Sequence, residues 1–425
     1  MAMTHQKTLW QEIVDRGVHA VIADLTDDEA KALSDGYGTH NYKPLPVNVV
    51  RAEGVHVWDG EGKEYLDCIG AYSAMAHGHL NPFLVKTVRD QLDDVTIVSR
   101  AFYSGEVGLF LKAVCDYTMM EMACPMNTGA EANETAIKLA RKWAYTVKGV
   151  PMNQAEIIVC TDNFHGRTTT IVGFSSEENY KHNFGPYGPG FKIIPFGDIE
   201  ALRAAITPNT CAFLCEPIQA EGGILIPPDG WMAEVRALCT KENVLLIWDE
   251  IQTGFCRTGK RFAWMHEEAK PDMITIGKAL GGGMIPVSAV CGTKEVMEVF
   301  KPGDHGSTFG GNPLGAVVAL AAMAEMEVKE YADRSRLLGD RLAAGIKSWG
   351  IPQIKDVRHR GLLVGMEVDD TVDNVRLSAE LVSNGILTKE TRKRTFRFTP
   401  PIVITEAEID DVLARVERAV RATIG

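Results

Sequence analysis

Residues 244–254 read VLLIWDEIQTG, and residues 273–283 read MITIGKALGGG. Each begins as a short apolar run and ends on a polar side chain capable of chemistry, Asp249 in the first and Lys278 in the second. Runs with no polar alternation suit strands buried on both faces, and such strands suit a mainly parallel sheet enclosed by helices. Ile157–Cys160, Cys211–Cys215 and Val287–Val290 repeat the pattern, with helical segments between them. In an open α/β sheet, ligands collect beyond the carboxyl ends of the strands. Asp249 and Lys278 close two such strands and are therefore candidates for one site. Either feature alone leaves a buried salt bridge as the better reading.

Two flanking segments add weight. Asn127-Thr128-Gly129-Ala130-Glu131 opens a helix whose apolar stripe is Ala132, Ala136, Leu139, Ala140 and Trp143. Free N–H groups at such a start can cradle a phosphate, although Thr-Gly before a helix is also an ordinary cap. Phe164-His165-Gly166-Arg167-Thr168 follows another apolar run and offers an aromatic face beside a fixed cation.

Further out, helical Leu9–Val14 and Asp28–Leu33 precede an extended Lys43–Pro46. A hairpin is expected where Val55–Trp58 and Glu64–Asp67 flank Asp59-Gly60-Glu61-Gly62. Beyond Tyr331 the order becomes helix, strands, helix, with strands expected at Arg360–Val368 and Thr395–Thr399. The expected fold class is α/β: a large domain with a mainly parallel seven-stranded sheet, plus a small α+β domain. The expected division is 1–75 as an arm and part of the small domain, 76–325 as the large domain, and 326–425 as the rest of the small domain.

Composition narrows the function. At 425 residues the chain exceeds one ordinary core. A net charge of −12 argues against nucleic-acid and membrane-surface partners, so an anionic ligand needs local positive groups. The nine cysteines are odd in number and form no CxxC pair, which suits free thiols in a reducing compartment. His77 and His79 lack a companion ligand, so no metal is expected. No run is long enough to span a membrane, and Met1–Trp10 has no apolar leader core. A cytoplasmic protein is expected, or a mitochondrial matrix form with its leader removed.

The four ordered motifs Asn127–Ala132, Phe164–Arg167, Asp249–Gly254 and Gly277–Ala279 resemble the class III (ω-) aminotransferases of pyridoxal-phosphate (PLP) fold type I, from about Tyr37 to the C-terminal helix. The resemblance implies that Lys278 carries PLP as a Schiff base and that Asp249 pairs with its ring nitrogen. It also implies that Phe164 stacks on the ring, that Gln252 bonds its 3-hydroxyl, and that Thr128, Gly129 and Ala130 hold its phosphate. Ser307 and Thr308 are implied on the phosphate of a neighbouring subunit, hence a homodimer with a shared active site, or a higher oligomer built from it.

Within the family, Gly38–Val47, Ala71–Ala74, Ser99–Tyr103, Glu216–Glu221 and Arg397–Pro401 are most similar to members that transaminate ornithine at its δ-amine, with 2-oxoglutarate as acceptor and glutamate as co-product. On that resemblance Arg167 and Tyr42 hold the substrate's far end, and Tyr72 belongs to an active-site tyrosine loop that binds substrate. Arg397 clamps the carboxylate next to the ring, and Glu221 neutralises Arg397 while ornithine reacts. Two positions depart from the pattern. His165 stands where those members carry tryptophan and is expected to point away from the ring with little consequence. Ala220 stands where glycine is common. The rivals are ω-aminotransferases for acetylornithine, 4-aminobutyrate or a diamine, an amino-acid racemase on the same fold, and a binding protein on an inactive scaffold. Tyr42 and Tyr72 favour free ornithine. Lys278, Asp249 and Arg397 together argue against the inactive scaffold.

Overall fold

The computed structural model describes residues 8–392 and 394–425. The first seven residues, on which part of the leader argument rests, lie outside that range. The chain divides into two compact units. One is the segment up to Ala52 with His56–Tyr65, and the other is Glu53–Val55 with Leu66–Gly425.

The first unit begins with helices Leu9–Arg16, Val18–Ala23 and Asp27–Tyr37. Capping boxes start two of them, Thr8 with Gln11 and Thr26 with Glu29. In the hairpin turn, the Asp59 carboxylate accepts from the N–H groups of Glu61 (3.1 Å) and Lys63 (2.9 Å), and the strands run His56–Asp59 and Glu64–Asp67.

The second unit is built on a seven-stranded sheet. Its order is Met122–Met126, Ser288–Gly292, Met273–Ile276, Leu245–Asp249, Thr210–Cys215, Glu156–Cys160 and Phe191–Ile194. All are parallel except Ser288–Gly292, which runs antiparallel to both neighbours. The five apolar runs of the sequence are its five inner strands. The two edge strands carry weaker signals. Met122–Met126 contains Pro125, which is tolerated where no further strand needs its N–H. Phe191–Ile194 is only partly buried and includes Lys192.

Toward the C-terminus, helices Pro313–Val328 and Tyr331–Ser348 lead into a four-stranded antiparallel sheet. Its order is Ile354–Arg360, Leu363–Val368, Thr395–Phe398, Lys389–Thr391. The expected Arg360–Val368 strand is thus the second half of a hairpin that turns at Gly361. Helices Asn374–Ser383 and Glu406–Ile424 complete the region. Ile386 and Leu387 pair in parallel with Leu66 and Asp67.

All nine cysteines are free, seven of them buried. His77 bonds the Ala322 carbonyl (3.0 Å), and His79 bonds Asp67 (2.9 Å). Among the described residues no cluster of His, Cys, Asp and Glu could hold a metal, and no helix is long and apolar enough to cross a membrane.

Candidate active site

The strands Leu245–Asp249 and Met273–Ile276 are neighbours in the sheet, so Asp249 and Lys278 emerge side by side at its carboxyl edge. They line one cavity of about 190 Å³ with Gly129, Ala130, Phe164 and Gln252. Six of the residues expected at the site from the sequence are therefore brought together.

Asp249 is 3% exposed, and each of its oxygens is occupied. Oδ2 accepts from Asn133 Nδ2 (2.8 Å) and pairs with His165 Nδ1 (2.7 Å), while Oδ1 accepts from the Ile251 N–H (3.1 Å). Asn133 is fixed in turn, its Oδ1 accepting from Thr275 Oγ1 (2.9 Å) and its Nδ2 also reaching the His165 carbonyl (2.8 Å). A buried carboxylate needs such donors.

Lys278 differs. Its Nζ makes no hydrogen bond among the described residues, and burial pushes its ammonium below the ordinary lysine range against the pull of Glu221 and Asp249. Its backbone is left-handed, with φ +47°. The result is an available amine beside a fixed carboxylate.

The helix Gly129–Trp143 aims its start at the same cavity. Thr128 Oγ1 caps the Glu131 N–H (3.2 Å), and the Glu131 carboxylate accepts from the N–H groups of Thr128 (2.7 Å) and Asn127 (3.0 Å). The N–H groups of Gly129 and Ala130 donate to nothing among the described residues, so this helix start can take an anion. The Phe164–Arg167 loop lies tight against it. Gly166 has φ +130°, and a Cβ there would come 2.8 Å from that of Ala130, so only glycine permits the approach.

A second group adjoins the cavity through Gln252. Arg397, 3% exposed on the strand Thr395–Phe398, forms a close ion pair with Glu221. Gln252 Oε1 accepts from Arg397 Nη1 (3.2 Å), and its Nε2 donates to Glu221 Oε1 (3.2 Å). Burial works against the Glu221 charge, but Arg397, with Lys278 nearby, outweighs it and keeps the carboxyl below its usual range. The Tyr72 ring lies 5.3 Å from the Arg397 guanidinium carbon. Glu216 also lines the cavity and accepts from the Phe164 N–H (3.0 Å). Burial, then the Asp249 charge, pushes its carboxyl well up.

Other residues singled out in the sequence stand elsewhere. Arg167 is exposed, next to Phe164. The Ser307 hydroxyl accepts from Asn127 Nδ2 (3.0 Å) and the Gly310 N–H (3.0 Å), and Thr308 is exposed. Within this single chain neither lines the cavity, nor does Thr128. Tyr42 belongs to the first unit and is exposed.

One expectation is corrected. His165 was expected to have little consequence, yet it lines the cavity and bonds Asp249. The sequence reading also missed Asn133. It is fully buried on the helix Gly129–Trp143, a property that the local sequence does not display.

Comparison with known proteins shows the family. A family profile described as "Aminotransferase class-III" matches residues 37–420. The chain is 51% identical over 390 residues to the ornithine aminotransferase of Brevibacillus brevis, covering 92% of this chain and 97% of that one. A structure of the ornithine aminotransferase from Toxoplasma gondii, described with PLP in partial occupancy at its active site, superposes with a TM-score of 0.94 at 40% identity over 98% of each chain. The acetylornithine aminotransferase from Elizabethkingia anophelis gives a TM-score of 0.85 at 40% identity, over 94% of this chain and 100% of that one.

Proposed function

Because this chain belongs to the class-III aminotransferases, we propose that it transfers the δ-amino group of L-ornithine to 2-oxoglutarate. The products are glutamate 5-semialdehyde, which cyclises to pyrroline-5-carboxylate, and L-glutamate. The observation that carries this reading is the meeting of two groups in one site: the unbonded Lys278 amine beside the fully bonded Asp249, and the Glu221–Arg397 pair next to them.

The residues fit PLP. Gly129 and Ala130 present free N–H groups for a phosphate, Phe164 presents a ring face, and Asp249 presents a carboxylate unable to rotate. When bound, the cofactor supplies a carbonyl carbon and an electron-withdrawing ring. Asp249 holds the proton of the ring nitrogen. Lys278 is the amine that would anchor the cofactor, and its Nζ would move the proton at the reacting carbon. Its lowered affinity for protons suits that work. Gln252 links the cavity to the Glu221–Arg397 pair and has an amide N–H left for the ring's hydroxyl.

Arg397 clamps the α-carboxylate of glutamate or 2-oxoglutarate, and Arg167 takes the distal carboxylate. Both jobs suit the planar fork of arginine. For ornithine the reacting end is a cation, and a bare Arg397 would repel it. Glu221 paired to Arg397 makes that corner nearly neutral, and Arg167 takes the amino-acid end. Tyr72, whose ring underlies Arg397, completes the substrate pocket.

The reading includes a homodimer with Ser307 and Thr308 reaching the partner's phosphate site. Its support is that Thr308 is exposed beside the exposed Phe309, and that Ile97, Phe309 and Leu314 line a neighbouring apolar groove. The nine free thiols suit a reducing compartment such as cytoplasm or mitochondrial matrix. The divisions at 75/76 and 325/326 stay part of the reading, with the seven-stranded sheet inside 76–325.

The Elizabethkingia enzyme's similarity makes acetylornithine the second candidate. A half-reaction panel separates the two. PLP-loaded protein is mixed in turn with ornithine, N-acetylornithine and 4-aminobutyrate, the visible absorbance of the cofactor is followed, and pyrroline-5-carboxylate is assayed. Ornithine should react fastest, by about tenfold or more in line with the discrimination that hydrogen-bonded sites achieve. Faster reaction with N-acetylornithine would transfer the assignment to that substrate.

A further inference from the structure

Arg167 is assigned above to a carboxylate, yet it donates no hydrogen bond among the described residues. A long side chain in that situation samples many rotamers, and ordering it on binding costs entropy. Here an aromatic face restrains it. The guanidinium carbon lies 3.8 Å from the centroid of Tyr180 and 5.7 Å from that of Phe164. The two rings meet edge to face, 6.1 Å apart at 74°. At 3.8 Å the cation is in contact with the ring. Stacking uses the face of the guanidinium and leaves its N–H edge open, the edge that binds carboxylates.

The surroundings support the ring in this role. Tyr180 sits on the short helix Glu178–Lys181, its N–H bonded to the Glu177 carbonyl (3.0 Å). A second cation, Arg392, lies 5.6 Å from the same ring. It is paired with Asp162 (3.0 Å) and Glu177 (3.2 Å), two carboxylates against one guanidinium, so it does not drive Arg167 away. The Tyr180 hydroxyl makes no hydrogen bond among the described residues, which leaves the ring as the interacting part.

We propose that Tyr180 is a positioning residue for carboxylate recognition: its ring holds Arg167 with the N–H edge turned out for the distal carboxylate of 2-oxoglutarate and the carboxylate of ornithine. The inference rests on the reading of Arg167 as a carboxylate clamp. Tyr180 touches neither substrate nor cofactor in this scheme, so its loss should raise KM and leave kcat largely intact.

The test uses the PLP-loaded enzyme and glutarate, a five-carbon dicarboxylate that cannot react. Glutarate affinity is measured by calorimetry, and KM and kcat for 2-oxoglutarate are measured alongside. Tyr180→Leu should weaken glutarate binding and raise KM by about 3- to 20-fold, the range of a cation–π contact, with kcat within about twofold. Tyr180→Phe should match the parent. Replacing Tyr180 by pentafluorophenylalanine keeps the shape but reverses the ring's charge distribution, and should reproduce the loss even if the leucine variant folds poorly. Arg167→Met is the control for the underlying reading. If Arg167→Met weakens glutarate but the fluorinated variant does not, Tyr180 is not a positioning residue and the clamp stands. If Arg167→Met leaves glutarate binding unchanged, the clamp reading fails, and this inference with it. Equal losses in Tyr180→Phe and Tyr180→Leu would assign the effect to the hydroxyl and overturn the proposal.

Discussion

The two anionic corners of the site are built in opposite ways. Asp249 receives Asn133 from the helix Gly129–Trp143, His165 from the loop after the strand Glu156–Cys160, and the Ile251 N–H from the turn that follows its own strand. Glu221 faces one guanidinium and one amide, and that guanidinium sits on the C-terminal strand Thr395–Phe398. A carboxylate with three donors has no alternative arrangement of similar energy. A carboxylate held mainly by one ion pair has one whenever a competing anion arrives for the cation. The first arrangement suits a constant charge, and the second suits a charge that can be exchanged between two substrates.

The contrast can be broken at its fixed end first. Asp249→Asn keeps the shape but cannot hold the ring-nitrogen proton. We expect kcat to fall by about 10²- to 10³-fold, as when a preorganised charge partner is removed from a reacting centre, with much of the cofactor retained. Steady-state kinetics beside cofactor content measures both. A near-normal kcat would mean that Asp249 only balances charge.

The exchangeable end should respond in direction more than in size. Glu221→Ala leaves Arg397 bare in a buried setting, where an uncompensated charge is worth up to roughly 3–5 kcal/mol. The ratio of glutamate to ornithine half-reaction rates should rise by about tenfold or more, and ornithine should begin to react at its α-amine. Single-turnover rates and product analysis decide the point. Equal loss in both half-reactions would make Glu221 a structural partner only.

The smallest effect is expected at Glu216, whose environment is shaped by burial and then by Asp249, with Glu221 adding to it. Its raised carboxyl holds a proton in the folded state that the unfolded chain releases above about pH 4.3. Folded-state stability therefore declines as pH rises through that region. Glu216→Gln has no such proton, so it should match the parent near the ordinary carboxylate range and gain on it as pH rises. Denaturation midpoints from acid to neutral pH test this. A pH-independent loss in the variant would show that Glu216 is ionised in the fold.

The inner sheet was legible because burial on both faces leaves no room for polar alternation, as in Val244–Trp248. The edge strands were not, because one side of each is free of that demand and Pro125 or Lys192 can occur there. Asp249 and Lys278 were visible as interruptions at strand ends. Asn133 and His165 were not, since their importance lies in a partner 116 and 84 residues away that local pattern does not reveal. The exchangeable pair could be anticipated only through resemblance. The bridging of that pair by Gln252 required the fold.

The left-handed backbone at Lys278 has a consequence for how this sequence can change. With φ +47°, a side chain bearing a Cβ costs roughly 1–2 kcal/mol relative to glycine, and the position follows a glycine and leads into a tight turn. Selection for folding alone would drift this site toward glycine or asparagine. Lysine persists there only while its amine is in use, so a lineage that abandoned the reaction would be expected to lose this residue early and to become more stable in doing so.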